Sequence, residues 1–264
     1  LASDEAGAAV NGDGGLLQAP AQLDPAGGTR TERNPLATVM AFQDSRVSAT
    51  IEDRLRTLND PRLTIYLDDA LNGGPPQGYP NGLTPSQIEN TNPQAHSMAG
   101  PTFQDFANPI SVMSLAEVKL LRAEAVVRGF VSGDAGALYE QGIRAVMDRY
   151  GVASSDADAY LQEAGVQWND NDADEEKVRK IILQKWIALF GRSGFEAWTE
   201  YRRTGYPALQ DIGAPDGGTT NGVVPRRVPY PNAEEQLNTE NYNEAVGRLD
   251  EGDTYLSRMW WDVN

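Results

Sequence analysis

The stretch Ser114-Leu-Ala-Glu117-Val-Lys-Leu-Leu-Arg-Ala123-Glu124-Ala125-Val-Val-Arg-Gly129 decides the fold class. Ser114 and Glu117 have the spacing of a capping box, in which the serine hydroxyl accepts from a free backbone amide and the glutamate reaches back to the cap. The helix that follows is predicted to run to about Gly129, with Leu115, Val118, Leu121 and Ala125 on one stripe. Ala116, Ala123 and Ala125 leave room for a second helix to come close. Gly129 to Gly136 interrupts the pattern, and Leu138, Gly142, Ala145 and Tyr150 then line a helix that stops at Gly151. Two helices joined by so short a turn form an antiparallel hairpin.

A second hairpin is predicted downstream. Asp170-Asn-Asp-Ala-Asp-Glu-Glu176 puts negative charge where a helix dipole favours it. Val178, Ile181, Ile182, Lys185, Trp186 and Leu189 follow at spacings of three and four, up to Gly191. Ser193-Gly-Phe-Glu196 is another capping box, opening a helix through Trp198 and Tyr201 that ends at Gly205-Tyr206-Pro207. Successive helix pairs with small residues at their contacts suggest tetratricopeptide-like stacking. The fold class is therefore all-α, an α-α solenoid of such pairs with long irregular loops, and residues 112–264 are its helical region.

Residues 1–111 read differently. Gly12-Asp13-Gly14-Gly15, Asn72-Gly73-Gly74-Pro75-Pro76 and Tyr79-Pro80-Asn81-Gly82 are turn clusters in a loop-rich insertion. Val47 to Leu58 has helical spacing, and Leu63 to Leu67 fits either a strand or a helix start. Leu1-Ala2-Ser3-Asp4 is neither a signal peptide nor an initiator methionine, so the chain is expected to begin mid-protein or after cleavage.

The composition excludes much. There are 38 acidic and 22 basic residues, a formal charge of -16, no cysteine and one histidine, His96. An acid excess of this size leaves no basic face for nucleic acid. Without cysteine there are no disulfides, thiolate metal sites or cysteine nucleophiles. No apolar run approaches the roughly 20 residues that span a bilayer. Low lysine beside abundant aspartate is open to two readings, a surface suited to high salt or an ordinary acidic extracellular protein.

No catalytic or metal-binding constellation stands out. Asp170, Asp172 and Asp174 have calcium-loop spacing, but Glu175 and Ile181 fall where glycine and glutamate are required. No glycine-rich stretch reads as a phosphate loop, so no cofactor is expected. His96 reads as a loop hydrogen-bonding residue. Trp198 and Arg202, four apart, can stack, and Glu200 can pair with Arg203. That patch reads as a clamp from its helix to the following loops, with ligand recognition as the alternative.

The chain resembles the carboxy-terminal half of SusD/RagB-like proteins, surface nutrient-binding lipoproteins of Bacteroidota. The matching segments occur in order: Asn59-Asp-Pro-Arg62-Leu, Met113 to Ala125, Ile182-Leu-Gln184-Lys185-Trp186-Ile-Ala-Leu-Phe190 and Glu196 to Pro207. Arg226-Arg-Val-Pro-Tyr230-Pro231-Asn-Ala-Glu234, Asn238-Thr-Glu-Asn241-Tyr242-Asn243-Glu-Ala245 and Trp260-Trp261-Asp262 complete them. The resemblance implies four tetratricopeptide-like helix pairs, of which this chain supplies the last two. The amino-terminal half, with its lipidated cysteine, is the expected missing partner, and its absence is expected to expose an apolar flank. The implied function is non-catalytic capture of oligosaccharides, or of peptides, at the outer-membrane surface for a SusC-like TonB-dependent transporter. A scaffold that binds only a protein is a further alternative. Flat rings stack on the apolar faces of sugars, so the candidate ligand-binding residues are the loop aromatics Phe42, Tyr66, Tyr79, Phe103 and Trp168.

Overall fold

The structure, a computed structural model, describes residues 17–209, 220 and 222–262. The Gly12–Gly15 turn cluster and the opening Leu1–Asp4 lie outside them. The first elements are β1 (Ala21–Leu23), α1 (Pro35–Met40), α2 (Ala49–Thr57), α3 (Leu63–Tyr66), β2 (Leu67–Ala70) and α4 (Pro85–Asn90). Then come β3 (Ser97–Ala99), α5 (Pro101–Gln104), β4 (Ile110–Met113), α6 (Leu115–Val127), α7 (Ala135–Arg149) and α8 (Ser154–Tyr160). The last are α9 (Asp174–Ala188), α10 (Gly194–Thr204), α11 (Asn232–Leu237) and α12 (Thr239–Val246). The fold is helical. Its strands form two antiparallel ribbons, β1 with β4 and β2 with β3. Residues 63–70 turn out to be both things the sequence allowed, a turn of helix that opens into a strand.

Contacts divide the chain into two units, one of residues up to Tyr79 with Asn92–Ala197, the other of Pro80–Thr91 with Trp198 onward. This differs from the compositional change at residue 111, because the loop-rich segment supplies α1, α2 and α3 to the first unit's core. Val47, Ile51, Leu55 and Leu58 pack there with Leu120, Ile143, Met147 and Ile181.

The α6–α7 hairpin forms as predicted. Gly142 makes its close packing possible: a Cβ there would lie 2.7 Å from Leu120 Cγ. Ser114 Oγ accepts from the Glu117 amide at 3.1 Å, which is half of the expected capping box. Glu117 does the other job differently, since its carboxylate pairs with Arg192 at 3.4 Å. The apolar stripe is also rotated from the predicted one. Ala116, Val118, Leu120 and Ala123 are buried in α6, whereas Leu115, Leu121 and Ala125 are only half-buried.

Both helices of the second predicted pair form, as α9 and α10. α9 packs against α6 and α7, and the boundary between the two units falls inside α10. Lys180 to Lys185 are all buried, so α9 is covered on every side. Its acidic first turn is as read: Asp174, Glu175 and Glu176 sit at the positive end of the helix dipole. Gly191 ends the segment at φ +62, a conformation that disfavours side chains, and a Cβ there would meet the Phe103 ring at 2.5 Å.

Beneath α9 lies a fully buried polar knot. Arg62 Nε and Nη2 donate to Asp60 at 2.8 and 2.5 Å, and Nη2 also reaches Gln184 Oε1 at 3.0 Å. Gln184 in turn donates to Tyr160 Oη at 2.8 Å. Burial opposes charge on Arg62, but Asp60 and the neighbouring phenols overcome it and hold the guanidinium protonated. The Asp-Pro-Arg motif is thus an internal tie of residues 60–62 to α8 and α9.

Candidate functional site

The five candidate rings separate into three groups. Tyr66 and Phe103 are 0 % and 2 % exposed. Tyr66 stacks on Phe190 at 4.6 Å and meets Phe103 and Tyr150 edge-on. Burial pushes the Tyr66 hydroxyl far above the ordinary phenol range, and it donates to the Ile187 carbonyl at 3.2 Å. These two rings build the core and offer no open face for stacking. Trp168 is half-buried against Tyr139, with centroids 5.2 Å apart, and its indole N–H donates to Asp170 at 2.9 Å. It fastens the loop before α9. Lys180 holds the same loop through Asp172 at 2.7 Å and the Gln167 carbonyl at 2.8 Å. The carboxylates with calcium-like spacing are therefore engaged by protein donors.

Phe42 and Tyr79 remain accessible, on two of three loops that are tied together. Asn34 caps α1 by accepting from the Leu36 amide at 2.9 Å, and its own amide donates to the Asn108 carbonyl at 2.8 Å. That fixes α1, which ends just before Phe42, itself 67 % exposed. Gln43, at φ +59, reverses the chain. Arg46 then staples the loop: it donates to the carbonyls of Gln43 at 2.7 Å, Ser45 at 2.9 Å and Pro93 at 2.9 Å.

The third loop joins through main-chain bonds. Tyr79 N–H donates to Val47 O at 2.7 Å, and Ala49 N–H to Tyr79 O at 2.8 Å. Gln77 and Ser97 exchange two more, through Ser97 N–H and the Ser97 hydroxyl. His96 Nδ1 lies 2.9 Å from the Gly78 carbonyl, which places the ring proton on Nδ1, and its ring meets Tyr79 at 4.8 Å. Glu52 Oε2 accepts from the Gly78 amide at 2.8 Å and locks the loop onto α2. The result is a rigid platform that carries one exposed ring, one half-buried ring and an imidazole. His96 is the loop hydrogen-bonding residue that the sequence indicated; Arg46 was missed, because the bond that ties its loop to the next goes to the Pro93 carbonyl, 47 positions away.

In the second unit the Trp198–Arg202 patch is a clamp. The Arg202 guanidinium sits 3.7 Å from the Trp198 ring and 5.0 Å from that of Trp261. Trp198 donates to the Pro225 carbonyl at 2.6 Å, and Arg226 covers Tyr201 at 4.8 Å. Arg203 pairs with Glu200 at 2.6 Å, as expected. Arg227 closes on Asp253 at 2.5 Å and on the Tyr230 ring at 4.8 Å. Trp260, by contrast, is 88 % exposed.

The first unit also has an apolar flank. Leu115, Ala116, Val146 and Ala188 line a groove of about 480 Å³, and Leu23 and Val112 of the nearby β1–β4 ribbon are largely exposed. A two-stranded ribbon is marginal by itself, so this face has the character of one built to be covered. Among the described residues, no helix is long and apolar enough to cross a membrane.

Comparison with known proteins identifies the family. The SusD-like family described as starch-binding and associating with the outer membrane matches residues 21–231. The chain belongs to this family. It is similar to a chitin-binding SusD homolog from Flavobacterium johnsoniae, with 30 % identity and a TM-score of 0.82, covering 98 % of this chain and 58 % of that one. A SusD homolog from Bacteroides uniformis has 29 % identity and a TM-score of 0.82 over 99 % of this chain and 60 % of its own. A chitin-binding protein matches at 30 % identity and a TM-score of 0.76, over 95 % and 57 %. The chain therefore spans somewhat more than half the length of these relatives. None of the curated proteins matches it.

Proposed function

We propose that this member of the SusD-like family is part of a cell-surface protein that captures oligosaccharides without cleaving them and delivers them to a SusC-like TonB-dependent transporter. The observation that carries the reading is the match of 98 % of the chain, at 30 % identity, to a chitin-binding homolog. The platform of Phe42, Tyr79 and His96 supports it. A flat ring held on stapled loops loses little freedom when a sugar stacks on it, and preorganisation of that kind favours binding. The remaining two-fifths of the relatives' length corresponds, in this proposal, to an amino-terminal half of the same protein. That half carries the lipid anchor and covers the apolar flank beside α6 and α7.

Sedimentation of the full-length protein with insoluble chitin and starch tests the reading, with soluble oligosaccharides assayed for chain shortening in parallel. The expected result is retention on at least one polysaccharide with no new reducing ends. Retention on none, with binding to a peptide panel instead, would replace glycan capture by peptide capture. New reducing ends would make the protein an enzyme.

A further inference from the structure

A small cavity lies beside the platform, between its first loop and the core of the first unit. It holds about 170 Å³, below the roughly 300 Å³ at which small-molecule sites begin. That is room for a substituent on a sugar and not for an oligosaccharide. Met40, Val47, Ala99 and Phe103 give it apolar walls, and Ser45 and Arg46 supply polar groups. Val47, Ala99 and Phe103 are buried. Met40, Ser45 and Arg46 are only half-buried, so the cavity is reached past the loop that carries Phe42.

The spare hydrogen-bonding capacity at its edge is specific. Arg46 spends Nε on the Pro93 carbonyl and Nη1 on the carbonyls of Gln43 and Ser45. Among the described residues its Nη2 makes no hydrogen bond and the guanidinium no ion pair. With Nε and Nη1 engaged, neither edge of the guanidinium offers the two parallel bonds that suit a carboxylate. What remains matches a single neutral acceptor. The Ser45 hydroxyl donates only to the Met40 thioether, at 3.5 Å, which is a weak acceptor. Its oxygen accepts no hydrogen bond among the described residues. A group complementary to this edge carries one carbonyl, one N–H and a small apolar end, which describes an acetamido group.

We propose that this cavity takes the acetamido group of an N-acetylated hexosamine, and, resting on the glycan reading above, that the protein prefers oligosaccharides built from such sugars. The acetyl methyl lies among Met40, Val47 and Phe103, where burial of apolar surface is favourable. Arg46 Nη2 donates to the acetyl carbonyl, and Ser45 Oγ accepts from the amide N–H. Phe42 precedes Ser45 by three residues, so their backbones are at most about 11 Å apart. A ring stacked on Phe42 and a substituent in the cavity therefore belong to one short oligosaccharide.

Titration calorimetry of the full-length protein with triacetylchitotriose and with cellotriose tests the proposal, because the two differ only in carrying acetamido or hydroxyl at C2 of each ring. The acetylated sugar should bind at least tenfold more tightly. Ser45→Leu, which fills the cavity mouth, should reduce that preference to twofold or less, with thermal melting to show that the variant folds. Saturation-transfer NMR on the parent protein gives a readout that needs no variant: the acetyl methyl of the bound sugar should be saturated more strongly than the ring protons. Equal affinity for the two sugars, an unchanged preference in folded Ser45→Leu, or a weakly saturated methyl would each overturn the proposal. Heat with cellotriose alone would overturn it and leave the glycan reading standing. Retention on no polysaccharide in the sedimentation assay above would remove both.

Discussion

Arg62 closes on Asp60, two residues before it in the chain, with neither side chain exposed to solvent. Two backbone-adjacent charges taken wholly out of water are stable only as a pair with further hydrogen bonds, which Gln184 and Tyr160 supply. Arg62→Met would leave the Asp60 carboxylate buried without its partner. The expected loss is about 3–5 kcal/mol in urea unfolding. Adding Asp60→Asn to that variant should recover part of the loss, because the uncompensated charge is then gone.

The contact of Gly142 with Leu120 sets the spacing of the α6–α7 hairpin. Alanine at 142 would gain roughly 1 kcal/mol of helix propensity. It would also force a methyl group to within 2.7 Å of Leu120 Cγ, and overpacking of that kind costs about 1–3 kcal/mol. Gly142→Ala should therefore be destabilising overall. In a Leu120→Ala background the same change should become neutral or stabilising, and a double-mutant cycle by thermal unfolding measures the difference.

Alkaline stability should be lost cooperatively. Burial raises the hydroxyls of Tyr66, Tyr139 and Tyr160 above the ordinary phenol value of 10.0. The folded state therefore holds these groups protonated more firmly than the unfolded state does. Their contribution is intact below pH 10 and falls away as the pH rises above it. Phenolate absorbance near those three residues should appear together with loss of helical circular dichroism.

The helical scaffold was legible because it is written locally. Ser114, Asp170–Glu176 and Gly191 mark helix starts and stops within a few residues of where the structure has them. What periodicity could not show was the neighbour. The stripe of α6 is shifted because α9 also packs on it, so Ala116 and Leu120 face in where Leu115 and Leu121 had been expected to. Glu117 left its own cap for Arg192, a residue 75 positions away.

The candidate rings show the same limit. Tyr66 and Phe103 stand in the part of the chain that reads as loop-rich, but contacts to Tyr150 and Phe190 bury them. Composition names aromatic residues in loops, and only the long-range packing says which of them keep a face open.

Calorimetric titration of the full-length protein with chito-oligosaccharides, beside Phe42→Ala and Tyr79→Ala, tests directly whether the platform binds glycan. Removal of one stacking ring is worth about 1–3 kcal/mol where the ring carries the contact. The expected result is saturable heat for the parent protein and affinity at least fivefold weaker in each variant, with unfolding curves unchanged for Phe42→Ala, whose side chain is exposed. Heat of the same affinity in all three proteins would contradict the placement of the site on the 42–48, 76–79 and 92–97 platform. Absence of heat with every glycan would contradict the function itself.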